Sequence, residues 1–252
     1  DDDYKNFNKI ILNILILISL IYFFTNFIRI KIRVNHLTFN LLYIYSLFFS
    51  LFYLFWSLHN VNDSISYYAY ALNHDYAIKL GAMFIANINE FLINNLRLRY
   101  FEINFIYYFF NILSLIIFSK IIYHPILSKG QTIDYFFYFF FIFSPSLNFW
   151  ISGVNKESIT FLGIVGLILS YQNKKIFFSL IFISLIILVR PHIFFLLFFS
   201  YFAYLFFKFN KKIISYLLLL ILLSLVLFVM HNYSVVLRIP FDVLSLDSII
   251  EF

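Results

Sequence analysis

Long apolar stretches alternate with short polar ones along this chain. The first apolar stretch is Ile10–Ile28, followed by the basic segment RIKIRVNH, and the second is Leu37–Leu58. A longer polar stretch, His59–Glu102, comes next. Inside it GAMFIANINEFLINNL (Gly81–Leu96) is apolar on one side only and is interrupted by Asn87, Asn89 and Glu90. That pattern predicts an interfacial or re-entrant helix. Six more apolar stretches follow: Ile103–Tyr123, Tyr135–Ile151, Ser158–Tyr171, Ile176–Val189, Ile193–Phe207 and Ile213–Met230. The pattern predicts an all-α fold, a polytopic transmembrane helical bundle of about eight spans. The outward polar loop and interfacial helix lie at about 59–102, and residues 1–252 form a single transmembrane domain. The fifth to seventh stretches are short against the ~20 residues that cross a bilayer, so their polar ends are drawn into the membrane or the region is partly re-entrant.

Composition sharpens the class. Of 252 residues 63% are hydrophobic and 12% charged, and aromatics reach 24%, with 38 Phe and 20 Tyr. Charged residues make up about a quarter of a soluble domain; lipid, as solvent, tolerates the excess of apolar side chains. Cysteine is absent, which excludes disulfides, thiolate catalysis and Cys-based metal sites. The net charge of +6 resides in short loops and forms no basic stripe, so it does not indicate nucleic acid.

The loop charges predict orientation. Loops at 29–36, 120–134, 172–175 and 208–212 together carry ten basic residues and one acid, Asp134. By the positive-inside rule they face the cytoplasm. Both termini then face outward, and so do His59–Glu102, Ser152–Glu157 and the turn at Arg190–His192.

Three polar stretches distant in sequence are thereby predicted to meet one membrane face: HNVNDSISYYAYALNHD (His59–Asp75), SGVNKES (Ser152–Ser158) and VRPH (Val189–His192). Lys156 and Glu157 stand close to hydrocarbon, where charge costs several kcal/mol unless paired, hydrated or used; the plainer role for Lys156 is snorkelling to headgroups. Pro145 just upstream opens the fourth span and frees a backbone carbonyl. Arg190 is either a headgroup anchor or a planar fork for a diphosphate or carboxylate. His192 can donate to a phosphate oxygen. Asp63 is either a solvated loop acid or a general base within reach of an acceptor hydroxyl. Tyr67, Tyr68 and Tyr70 read as interfacial aromatics first and sugar-stacking rings second. His59, His74 and Asp75 do not have metal-site spacing, and no phosphate-cradling glycine loop, zinc motif or nucleophile elbow is present.

SPSLNFWISGVNKESITFLGI, followed some thirty residues later by LVRPHIFFLL and preceded by DSISY (Asp63–Tyr67), resembles a group of bacterial inner-membrane proteins. Their pattern is Pro-Ser, aromatic-Trp, a small pair, Lys-Glu or Lys-Asp, then Arg-Pro-His. They are similar to oligosaccharide repeat-unit polymerases and to the lipid-linked sugar transferases of the GT-C class. The resemblance implies glycosyl transfer from a polyprenyl (di)phosphate sugar in cell-surface polysaccharide assembly, and nothing visible in the residues requires a metal or other cofactor. It implies Asp63 as base, Glu157 as an orienting or acceptor-binding acid, and a donor site formed by Lys156, Arg190 and His192 with Asn155 and Trp150. Those enzymes are commonly longer, and Ser234–Phe252 reads as the start of a segment missing or reduced here.

The implied partners are membrane lipids and a polyprenyl phosphate-linked saccharide, in a bacterial inner membrane. Two other classes remain open from the residues alone. A transporter or flippase of lipid-linked sugars requires polar residues through the bilayer midplane, whereas these charges collect at one face. A non-catalytic subunit of a membrane complex, in a bacterial or mitochondrial inner membrane, requires no pocket at the polar face.

Overall fold

The computed structural model describes residues 2–60, 62–73, 80–127 and 132–208, and every regular element among them is an α-helix. In order these are α1 (Asp2–Ile32), α2 (His36–His59), α3 (Asp63–Leu72), α4 (Ala82–Leu96), α5 (Tyr100–Leu127), α6 (Thr132–Ile142), α7 (Pro145–Ile151), α8 (Lys156–Gln172), α9 (Ile176–Val189) and α10 (Pro191–Lys208). The chain divides into two compact units, Asp1–Val189 and Arg190–Phe252. The expected eighth span, Ile213–Met230, and the pair His74 and Asp75 lie outside the described residues.

Among the described residues three helices are long and apolar enough to cross a membrane: Ile11–Ile32, His36–His59 and Tyr100–Tyr123. The 24 residues of α2 rise about 36 Å at 1.5 Å each, against ~30 Å of hydrocarbon. Phe23, Ile44, Phe55, Ile176 and Phe177 are all exposed, a surface that suits lipid and not water. The protein is a helical membrane protein. The other apolar stretches among the described residues form shorter helices, with 17 residues in α8 and 14 in α9.

The stretch expected as a fourth span, Tyr135–Ile151, is two helices. Pro145 occupies the first turn of α7 and Ser144 before it is extended (φ −60°, ψ 118°), because proline's ring disfavours helical geometry in the preceding residue. The carbonyls released by the break find side-chain donors. Tyr45 Oη donates to Phe143 O at 2.8 Å, and Asn148 Nδ2 donates to Ile142 O at 3.0 Å.

Among the described residues three helix ends carry a basic residue where glycine is usual. Arg33, Arg97 and Lys174 are left-handed, with φ of 60°, 54° and 54°. After α1, Arg33 N–H bonds Ile30 O and Val34 N–H bonds Arg29 O; after α8, Lys174 N–H bonds Tyr171 O and Lys175 N–H bonds Ser170 O. This is the Schellman closure, and a cation there also faces the negative end of the helix dipole.

Helices α2 and α5 run antiparallel and are joined by a polar ladder. Ser46, Ser50, Tyr53 and Ser57 recur along one face of α2, at the three-to-four residue spacing of a helix stripe. Tyr100 Oη donates to Ser57 Oγ (2.9 Å), Asn104 Nδ2 to Ser50 Oγ (3.1 Å) and Asn111 Nδ2 to Ser46 Oγ (2.9 Å). The three serines and both asparagines are fully buried. Small side chains let the backbones approach, and hydrogen bonds join helices where lipid removes the usual hydrophobic drive. Around the ladder lie two apolar clusters. One joins α1, α2, α5 and α6 through Ile21, Phe39, Leu42, Tyr108, Ile112 and Ile142. The other joins α2 to α5 with α8 and α9, through Leu54, Tyr67, Ile85, Ile103, Ile159 and Val189.

Helix α4 is part of this second cluster: Ile85 is fully buried and Leu92 nearly so, while Phe91 and Leu96 are exposed. The one-sided apolar pattern predicted for Gly81–Leu96 thus reflects packing on protein. Helices α8 and α9 form a hairpin that is in close contact at Gly163 and Gly166. A Cβ at Gly163 would lie 2.6 Å from Ile186 Cγ1, and one at Gly166 would overlap the Phe182 ring.

Candidate functional site at the α3 and α8 N-termini

Asp63 and Lys156 each occupy the first position of a helix. Asn62 caps α3, its Oδ1 accepting from the N–H groups of Ser64 (2.9 Å) and Ile65 (3.2 Å). The cap is itself held, since Asn62 Nδ2 donates to Ser57 O at 2.9 Å. Asn155 caps α8: its Oδ1 accepts from Ser158 N–H at 3.2 Å and its Nδ2 donates to Trp150 O at 2.8 Å. Asx side chains at these positions satisfy N–H groups that the helix leaves open.

The fold brings the two charges together across 93 positions of sequence: Lys156 Nζ donates to Asp63 Oδ2 at 3.2 Å. Tyr67 Oη, one turn along α3, donates to the same oxygen at 3.3 Å. Among the described residues nothing bonds Asp63 Oδ1. The side chain of Asp63 is 60% exposed and that of Lys156 29%. The pair therefore sits at an open surface with one carboxylate oxygen accessible. A cation at a helix N-terminus opposes the dipole by ~0.3–1 kcal/mol. Asp63 opposite it, and Glu157 beside it in the first turn of α8, offset that.

Beneath the pair lies a layer of buried hydroxyls. Tyr53 Oη and Ser64 Oγ share a hydrogen bond of 2.7 Å, and Tyr100 joins Ser57. The Tyr53 ring lies so close over Gly153 that a Cβ there would overlap it. Ser152, Val154 and Asn155 are buried. Asn111 Nδ2 donates to Ser152 Oγ at 2.8 Å as well as to Ser46, which fastens the loop before α8 to the α2–α5 ladder. Ser152 Oγ in turn donates to Asn148 O. Much of the polarity of SGVNKES is thus caps and packing, and within that segment only the charged side chains of Lys156 and Glu157 reach beyond it. Burial raises the Tyr68 phenol above its ordinary value.

The other residues of the expected site are placed as follows. Trp150 is on α7, 53% exposed, its ring edge-on to Phe149. Glu157 is half-buried. Arg190 and His192 belong to the second unit. There Arg190 precedes Pro191 at the start of α10, and its carbonyl accepts from the N–H groups of Ile193 (3.0 Å) and Phe194 (3.4 Å).

Two features escaped the sequence reading. Segment 63–72 is helix α3, not loop; Asn62 followed by Asp63 and Ser64 is a helix-start signal. Glu102 is buried, its Oε2 accepting from Arg99 N–H (2.9 Å) and its Oε1 from Asn13 Nδ2 (3.0 Å). A glutamate reaching back three residues to the helix start is half of a capping box.

Among the described residues no three His, Asp or Glu side chains gather to hold a metal ion. No protein-family model, curated protein or solved structure matches the chain.

Proposed function

We propose that the chain is an eight-span glycosyltransferase or glycan polymerase of a bacterial inner membrane, acting at the outer face on sugars carried by polyprenyl phosphate or diphosphate. The observation that supports this most is the meeting of Asp63 with Lys156 at an open surface. Asp63 Oδ1 takes the proton of the acceptor hydroxyl as its oxygen bonds to the anomeric carbon. The bond from that carbon to the phosphate oxygen breaks, and the polyprenyl (di)phosphate leaves with the electron pair. Lys156, a mobile point charge on a flexible stem, moves from Asp63 towards the departing phosphate. Tyr67 keeps the carboxylate oriented while Lys156 is away.

A second reading treats the pair as a latch that closes α3 onto α8 in a non-catalytic subunit, and the pairing itself favours it. One experiment separates the two. The chain is reconstituted in liposomes with a polyprenyl-linked sugar pool, and release of polyprenyl phosphate and formation of glycan are followed. Under the enzyme reading Asp63→Asn lowers turnover about 10²–10⁴-fold while the melting temperature stays near wild type. Under the latch reading the wild type consumes no donor, and Asp63→Asn and Lys156→Met each cost at most about 1 kcal/mol of stability, with no further loss when combined.

A further inference from the structure

At the end of the α2–α5 pair remote from Asp63, the first unit holds a cavity of about 410 Å³. It lies between the α1–α2 turn, the last turns of α5 and helix α6. Its size falls in the ~300–1,000 Å³ range of small-ligand sites. Arg33, Asn35 and Thr38 line one side, and Ser119, Lys120 and Tyr138 the other. No carboxylate is in the lining, so its formal charge is positive.

Arg33 closes α1 through its backbone, which leaves its guanidinium, like the Lys120 ammonium, without a side-chain partner among the described residues. Arg29, on the preceding turn of α1, is engaged in the fold: its Nε donates to Asn26 Oδ1 at 2.8 Å and its Nη1 to Val34 O at 3.2 Å, which ties the turn. The side chains of Arg33 and Lys120 make no hydrogen bond or ion pair to a described residue. The hydroxyls of Ser119 and Tyr138 share a bond of 2.7 Å, which fixes the wall between α5 and α6. The Asn35 side chain accepts from Leu37 N–H at 2.9 Å, which fixes the turn opposite. The cavity is therefore rigid on both sides and offers a guanidinium fork and an ammonium.

We propose that this cavity binds a phosphate group, with Arg33 bonding two of its oxygens and Lys120 neutralising the remaining charge. The membrane-spanning lengths of α1, α2 and α5 put the cavity at the bundle end, at headgroup depth. Basic pockets between spanning helices at that depth take anionic lipid headgroups. A lipid phosphodiester and a soluble phosphate ester share the recognised chemistry. This site is independent of the Asp63–Lys156 pair and of any sugar transfer there.

The test uses the full chain in detergent, with binding of phosphatidylglycerol and of phosphatidylcholine measured by native mass spectrometry. Removing both cations in Arg33→Gln/Lys120→Gln should weaken phosphatidylglycerol binding about 25-fold, and Lys120→Gln alone about fivefold. Phosphatidylcholine should be affected far less. The control is Lys174→Gln/Lys175→Gln, which removes the same charge from the exposed α8–α9 turn and should leave binding near wild type. Glycerol phosphate in excess separates the sources: if it displaces the lipid, the site takes a soluble phosphate ester, and if it does not, a lipid. An equal loss in the control, or wild-type binding in a folded Lys120→Gln variant, overturns the proposal.

Discussion

The hydrogen bond between Asn111 and Ser46 is expected to join α2 to α5 with a measurable coupling energy. Asn111 Nδ2 lies 2.9 Å from Ser46 Oγ and 2.8 Å from Ser152 Oγ, all three residues being buried. Interhelical hydrogen bonds of this kind average ~0.6 kcal/mol in membranes and reach ~1.7. Two of them put the gain from Asn111 at about 1–3 kcal/mol before other terms. Asn111 Oδ1, however, is buried with no partner, a burden of about 1–3 kcal/mol that leaves with the side chain. Asn111→Ala alone is thus a difference of similar quantities, and a double-mutant cycle is the informative measurement. The variants are Asn111→Ala, Ser46→Ala and the pair, with unfolding followed by steric trapping in bicelles. The expected coupling is about 0.6–1.7 kcal/mol. Ser57 makes the control, because it lies on the same helix about 16 Å along the axis from Ser46 and pairs with Tyr100; its cycle with Asn111 should give none. A zero Asn111–Ser46 coupling, or an equal one with Ser57, would refute the ladder as the joint between these helices.

Other substitutions test the remaining contacts. Gly163→Val and Gly166→Leu should each lower stability by about 1–3 kcal/mol through overpacking against Ile186 and Phe182, read as a fall in melting temperature in detergent; unchanged stability would mean that α8 and α9 are not in close contact. Asn155→Ala removes the α8 cap and the bond to Trp150 O, and should cost about 1–2 kcal/mol, with Asn155→Asp recovering only the share due to the cap, since a carboxylate cannot donate to Trp150 O. Fusions of a periplasm-active reporter should be active after Glu157 and inactive after Lys175, and activity at Lys175 would reverse the orientation drawn from the loop charges.

How much of this was legible in sequence depends on the physical signal at each place. The break at Pro145 was, because a missing N–H and a restricted preceding residue act locally. So were Asp63 and Lys156 as residues of interest, because isolated charges in so apolar a chain are few. Their direct pairing was not, since it depends on where the fold brings the N-termini of α3 and α8, and the polar sequence around Asp63 does not by itself mark a helix. The ladder was hidden for another reason. Ser46, Ser50 and Ser57 sit inside a span whose apolar residues dominate any average, and only their spacing marks them as one face. Part of the polarity of Ser152–Ser158 is structural, and a cap such as Asn155 and a packing contact such as Gly153 on Tyr53 look the same in sequence as a binding loop. The stretches expected as spans four to six resolve into short helices, since apolar content identifies a lipid-compatible segment without fixing its length.

The meeting of Asp63 with Lys156 at an open, outward surface can be tested directly because the chain has no cysteine. Asp63→Cys and Lys156→Cys, introduced together, are treated in intact bacterial cells with a membrane-impermeant bismaleimide of short reach. Intramolecular linkage is then scored by mass spectrometry. The structure and the orientation together call for efficient linkage of the double variant from outside the cell, with Asp63→Cys paired to a cysteine at Lys175 giving none. Absence of the 63–156 link, or its formation only after the membrane is opened, would contradict the site.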